Sequence, residues 1–115
     1  MFEKEFELIQ KPIVALINKL LQNGFKNRQG RELHSVDSLN VVNMEIDEDK
    51  SSLKEVVYVN SVLAYARIWV HFHDGRASDN IQLSLSREVV LEYDFGAKEY
   101  IITNEDDIAL VDKTF

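Results

Sequence analysis

His71 and His73 stand two residues apart, and on an extended chain that spacing puts both imidazoles on one side, within reach of a single metal ion. His34 is a candidate third ligand and Asp74 adjoins the pair, so one reading of the chain is a metal-dependent or small-ligand enzyme using His34, His71 and His73. Half-exposed histidines near a hairpin end with no ligand role satisfy the same pattern, and no pair of His recurs at a helical metal spacing. His34, Ser35 and Asp37 are close in sequence, but a catalytic triad is defined by roles in space. A Gly-rich cofactor loop, a nucleophile elbow and a metalloprotease motif are all lacking. The expectation is therefore no catalytic residue, no metal and no cofactor.

The same strand face carries Tyr65, Arg67 and Trp69, residue types enriched at the energetic centres of protein interfaces. They would be ordinary core if a helix covered them, with Arg67 extending its aliphatic stem to solvent. Val62, Ala64, Ala66, Ile68, Val70 and Phe72 on the opposite face form a complete apolar stripe and are the better surface for a helix. Tyr65, Arg67, Trp69, His71 and His73 are accordingly expected to face a partner. A second candidate is the acidic turn Asp47, Glu48 and Asp49. It fails as a calcium loop, because the sixth position is Ser52 instead of Gly and the twelfth is Tyr58 instead of Glu. With Glu105, Asp106, Asp107 and Asp112 it would instead supply a negative patch that speeds encounter with a basic partner. Lys26, Arg28 and Arg31 form the compact basic group, which comes after a helix C-terminus and has no phosphate-loop spacing.

Charge distribution narrows the partner class. Residues 1–7 carry −2 and residues 8–31 carry +5 with no acid, which leaves −10 on residues 32–115 out of a total of −7. An acidic body opposes nonspecific nucleic-acid binding, which relies on Lys and Arg displacing counterions from phosphates. The longest apolar run, residues 13–17, is far short of the roughly 20 residues that span a bilayer. The N-terminus alternates acidic and apolar residues, unlike a basic, then apolar, export signal. With no cysteine there is no disulfide framework and no thiolate chemistry. No membrane, no nucleic acid and a cytoplasmic location are the corresponding expectations.

The elements that position these residues are set by periodicity. Phe2, Phe6, Ile9, Ile13, Leu16 and Leu20 recur at spacings of four and three, which predicts a helix over residues 3–22, kinked at Pro12 and stopped by Asn23 and Gly24. After a loop over residues 24–35, Val42, Met44 and Ile46 alternate as a strand. Residues 53–60 fit both a capping box and a strand, and the β-branched Val56, Val57 and Val59 favour the strand. Residues 62–73 alternate as a long strand, Asp74 and Gly75 open a polar loop reaching Asn80, and alternation resumes over residues 81–93 with a bulge or break near Ser86 and Arg87. Gly96 and Ala97 turn the chain into a strand over residues 99–103, and Asn104 caps a short final helix.

At 115 residues with 45% hydrophobic content, this describes one α+β domain over residues 1–115: an N-terminal helix packed on a four- or five-stranded antiparallel β-meander, then a short C-terminal helix. The functional expectation is a small acidic intracellular protein-binding module, such as an immunity-type inhibitor of a basic toxin or effector. A secretion-type chaperone and the histidine-based enzyme are the alternatives, and the sequence sets no oligomeric state.

Overall fold

The computed structural model describes residues 5–114. The elements run α1 (Phe6–Gln22), β1 (Leu33–Ile46), β2 (Val56–Phe72), β3 (Gly75–Leu85), β4 (Val89–Asp94), β5 (Glu99–Ile102), a 3-10 turn (Glu105–Asp107) and β6 (Leu110–Asp112). Each of the strand pairs is antiparallel, so the α+β arrangement of one N-terminal helix on an antiparallel sheet is as expected.

Ile9, Ile13, Leu16, Ile17 and Leu21 fall on one side of α1 and are buried. Pro12 lies inside the helix without dividing it. An interior proline costs about 3 kcal/mol, and burying a single Ile or Leu side chain returns about 1.5–3 kcal/mol, so five such side chains outweigh it. Phe2 of the expected stripe lies outside the described residues. Gly24 adopts φ +79°, the left-handed conformation expected beyond the helix end, and Phe25 packs against the core. The backbone of α1 approaches β1 on one side and β5 and β6 on the other, so the sheet curls around the helix.

β2 is the shared strand. Val59 pairs at once with Ile46 of β1 and Val89 of β4, which puts β1 along one edge of β2 and β4 along the other, in line with β3. β3 and β4 therefore succeed one another beside β2, and β6 and β5 succeed one another outside them. At about 3.3 Å per residue the 17 residues of β2 span some 56 Å. That matches the 50 Å long axis of the molecule.

Six strands replace the four or five expected, because two long strands are each interrupted. The break at residues 86–88 falls where Ser86 and Arg87 predicted it. Across it, Asn104 Oδ1 accepts from Val90 N at 2.9 Å and Asn104 Nδ2 donates to the Glu88 carbonyl at 2.8 Å. Ser86 N donates to the Ala109 carbonyl at 2.9 Å, and Ala109 N to Ser86 Oγ at 2.8 Å. This use of Asn104 corrects the expected C-terminal helix: its side chain bridges strands instead of capping, only the three-residue 3-10 turn forms, and the chain returns to the sheet as β6.

β1 begins at Leu33, well before residue 42. Register shifts leave one extra β1 residue at His34, Asp37 and Val42, and each inserted residue inverts the facing of the residues after it, so alternation is scrambled over most of the strand. Val42 is one of these residues and is 49% exposed, whereas the sequence pattern grouped it with the inward Met44 and Ile46. On β2 the extra residue is Asn60, which joins the inward Val57 and Val59 to the inward Val62, Ala64 and Ala66 in one continuous strand. Residues 53 and 54 form a turn with Lys54 at φ +57°, which settles the ambiguity there in favour of a strand beginning at Val56.

The expected polar loop over residues 74–80 is instead strand. His73 and Asp74 make a two-residue turn with His73 at φ +53°, and β3 starts at Gly75. Its inner positions Ala77 and Asp79 lack the apolar signature because this end of the sheet meets the loop after α1, where Asn27 Nδ2 donates to Asp79 Oδ2 at 3.1 Å. Among the described residues no helix is long and apolar enough to cross a membrane.

Asn104→Ala strands a backbone N–H and a carbonyl at the break and is expected to lower unfolding stability by about 1–3 kcal/mol. An unchanged midpoint in urea would show that the bridge contributes nothing. Burial raises the Tyr100 phenol above its usual value of 10.0, while a hydrogen bond donated by Lys54 N at 3.0 Å opposes the rise. The neutral phenol is therefore favoured in the folded state: its contribution is complete below pH 10.0 and is lost as pH climbs through the higher folded value. Tyr100→Phe should flatten the alkaline decline of stability measured by circular dichroism.

Candidate functional site

Along the second half of β2 the inner residues Val62, Ala64, Ala66, Ile68 and Val70 enter the core beneath α1, so Leu63, Tyr65, Arg67, Trp69 and His71 project from the opposite, outer face. Pairing fixes their neighbours. Trp69 lies between Ser35 and Ser78, Arg67 between Ser38 and Asn80, and Tyr65 between Asn40 and Gln82. The result is a column of large side chains flanked on both strands by small polar ones. Tyr65 is 45% exposed. A depression of about 490 Å³ at Tyr65 and Arg67 is lined by Ser38, Asn40, Asn80 and Gln82. Rigid aromatic and guanidinium groups among adaptable Ser, Asn and Gln hydrogen-bonding groups is the composition of surfaces that recognise proteins.

The cations on this face are held lightly. Arg67 Nε is 3.8 Å from Asp37 Oδ2, with both side chains about half exposed; such a pair contributes about 0.2–1 kcal/mol. Asp37 thus pairs with Arg67 across to β2, while the ring of His34 lies against Ser35. Arg76 places its guanidinium carbon over the Trp69 ring, 5.2 Å from its centre, within cation–π range.

The three histidines divide. His34 and His71 meet edge to face with ring centres 5.1 Å apart, and His34 Nδ1 lies 3.1 Å from Ser35 Oγ. With Asp74, Gly75 and Arg76 they line a depression of about 350 Å³. His73 is not on the strand face as expected; it occupies the turn and its ring lies 4.2 Å from that of Phe72. Its place in the two-residue turn, with positive φ, ends the alternation that aligned it with His71. Among the described residues no three His, Asp or Glu side chains converge as metal ligands.

Asp47, Glu48 and Asp49 lie in the connection from β1 to β2. Asp47 shapes it: its Oδ1 accepts from Lys50 N at 3.2 Å and its carbonyl from Ser51 N at 3.0 Å. Glu48 and Asp49 are partly or fully accessible at the surface. This turn lies beyond Val59, six residues or about 20 Å along β2 from Tyr65, so the two predicted sites are separate. Glu105, from the other acidic group, pairs with Lys19 of α1, and that hydrogen bond and charge hold the lysine ammonium above its usual range.

Three further residues matter that neither periodicity nor motif spacing singles out. Asn27 is 4% exposed and organises the basic loop, with Oδ1 accepting from Gln29 N at 3.1 Å and Arg31 N at 2.9 Å. Phe95 and Ile101 are exposed by 70% and 47% at the end of the β4–β5 hairpin. Their faint signals are Asn27 three residues before Gly30, and Phe95 beside the turn-forming Gly96. No protein-family model matches the chain, and neither a curated protein nor a solved structure matches it significantly.

Because His34 and His71 offer two imidazoles beside the repelling Arg76, chelator is expected to leave the thermal midpoint of the untagged protein unchanged. A chelator-sensitive midpoint that becomes insensitive in His71→Ala would establish a metal site instead.

Proposed function

We propose that this chain is a protein-binding module that docks a partner on the outer face of its sheet, in the manner of a dedicated inhibitor or immunity-type protein. The observation that carries the reading is the outward column Leu63, Tyr65, Arg67 and Trp69, set opposite a core already complete beneath α1 and bordered by Ser, Asn and Gln. Tyr and Trp bring large contact area with few rotatable bonds, Arg67 brings donors, and the border supplies hydrogen bonds at the rim. The net charge of −7 and the acidic turn at Asp47, Glu48 and Asp49 favour a basic partner, with encounter accelerated at low salt. The absence of cysteine suits a reducing compartment, and we assign the protein to the cytoplasm.

The alternatives have weaker support. A secretion-type chaperone would use an apolar groove, whereas the Tyr65 column is bordered by polar side chains. A metal-dependent catalyst on His34, His71 and His73 is disfavoured by the separation of His73 from the other two rings.

The test is affinity isolation from source-cell lysate at low and moderate salt, comparing the wild type with Tyr65→Ala and Arg67→Glu. A stoichiometric protein is expected with the wild type, with affinity reduced at least about tenfold, or about 1.4 kcal/mol, in each variant. Thermal midpoints should change little, because both side chains are exposed. Recovery of no stoichiometric protein, or equal recovery by all three, would count against the outer face.

A further inference from the structure

The large apolar side chain most exposed among the described residues lies in acidic surroundings. Phe95 is 70% exposed where β4 turns into β5, and Ile101, 47% exposed, faces outward because its neighbour Tyr100 is buried. Ile101 pairs directly with Glu92. Glu92, Tyr93, Asp94, Phe95, Ile101 and Thr103 line a depression of about 360 Å³. Phe95 is held in position: its ring meets Tyr93 edge to face at 4.9 Å, and Tyr93 in turn meets the buried Tyr100 at 5.1 Å, an aromatic ladder from core to surface. Asp94 Oδ1 accepts from Gly96 N at 2.9 Å and from Ala97 N at 3.2 Å, which fixes the turn and leaves Oδ2 outside those bonds.

The acidic turn of Asp47, Glu48 and Asp49 lies beside the start of β4, at the other end of that strand from Phe95. Asp47 N donates to the Tyr58 carbonyl, Tyr58 pairs with Val90, and Lys50 bonds Glu88 across to β4. Lys54 and Lys98 are the nearby cations. Lys54 Nζ stands 6.0 Å from the Tyr93 ring centre. A rigid exposed ring and an aliphatic side chain, rimmed by carboxylates, match a segment carrying both apolar and cationic residues. Exposed apolar groups ringed by charge mark interaction sites, and the sign of the rim selects the partner.

We infer that the β4–β5 hairpin end is a second contact site, which seats a cationic amphipathic segment of the protein partner, with an apolar residue against Phe95 and Ile101 and Lys or Arg side chains on Glu92 and Asp94. This rests on the reading of the chain as a protein-binding module. The outer face of β4 and β5 continues that of β2, since Glu92 pairs with Val56 of β2 on one side and Ile101 of β5 on the other. One partner can engage both sites.

The test uses three synthetic peptides and the full chain: a twelve-residue Leu/Lys amphipathic helix, the same design with Glu for Lys, and an all-Lys peptide of equal length. Binding is read by NMR shift changes and by fluorescence anisotropy of labelled peptide. The Leu/Lys peptide is expected to bind with shifts centred on Phe95 and Ile101, to lose at least about tenfold in Phe95→Ala and in Glu92→Lys, and to be unaffected by Tyr65→Ala. The Leu/Glu peptide should not bind. Equal binding by the all-Lys peptide, unchanged affinity in both hairpin variants, or shifts centred elsewhere would overturn the inference. The Tyr65→Ala arm separates the two readings: loss of the cellular partner with that variant alone refutes the hairpin site and leaves the outer face standing. Phe95 and Glu92 are exposed, so thermal midpoints of the variants should match the wild type and exclude unfolding as the cause of any loss.

Discussion

A β-strand can hydrogen-bond along two edges and pack through each of two faces, and β2 uses all of these. Its edges hold β1 on one side and β3 followed by β4 on the other, its inner side chains form the centre of the core, and its outer side chains make the column of Tyr65, Arg67 and Trp69. Strict alternation between Val62 and Val70 is what allows this. A one-residue slip of that segment would put Tyr65, Arg67 and Trp69 under the helix and five aliphatic side chains in water. The bulge at Asn60 has the same importance, since it lets two stretches of opposite parity share one inward face.

The legible parts of the sequence were those with an unbroken period. The helix stripe from Phe6 to Leu21 survives Pro12 because burial is set by spacing, and Ile9, Ile13 and Leu16 keep theirs. The outward orientation of Tyr65 and Trp69 was readable because residues 62–70 alternate without interruption. β1 was mostly invisible because bulges at His34, Asp37 and Val42 reset its parity every few residues. The beginning of β3 read as a loop because its inner neighbour is the polar loop held by Asn27, not the apolar helix. Asp74 and Gly75 were a real turn signal displaced by one position: the turn is His73 and Asp74, and that displacement moved His73 off the outer strand face.

The same bulges bear on assembly. β1 is a long edge strand, and a long regular edge invites pairing with another chain. Three inserted residues along β1 twist that edge and disturb its hydrogen-bonding row, while the opposite edge is divided between the short β5 and β6. On the proposed reading, recognition would thereby fall to side chains instead of edge pairing, with Arg, Trp and Tyr on the face and Phe95 at the hairpin end.

The position of α1 governs the order in which the molecule can form. Its buried side sits between β1 and the last two strands, so residues 6–22 require residues 99–102 and 110–112 to complete their surroundings. The helix and its final wall lie about 80 residues or more apart in sequence, and contacts of such separation slow folding because long loops must close before they are rewarded. The core is therefore closed only once residues 110–112 have joined the sheet, and removing β5 and β6 would expose the buried side of the helix.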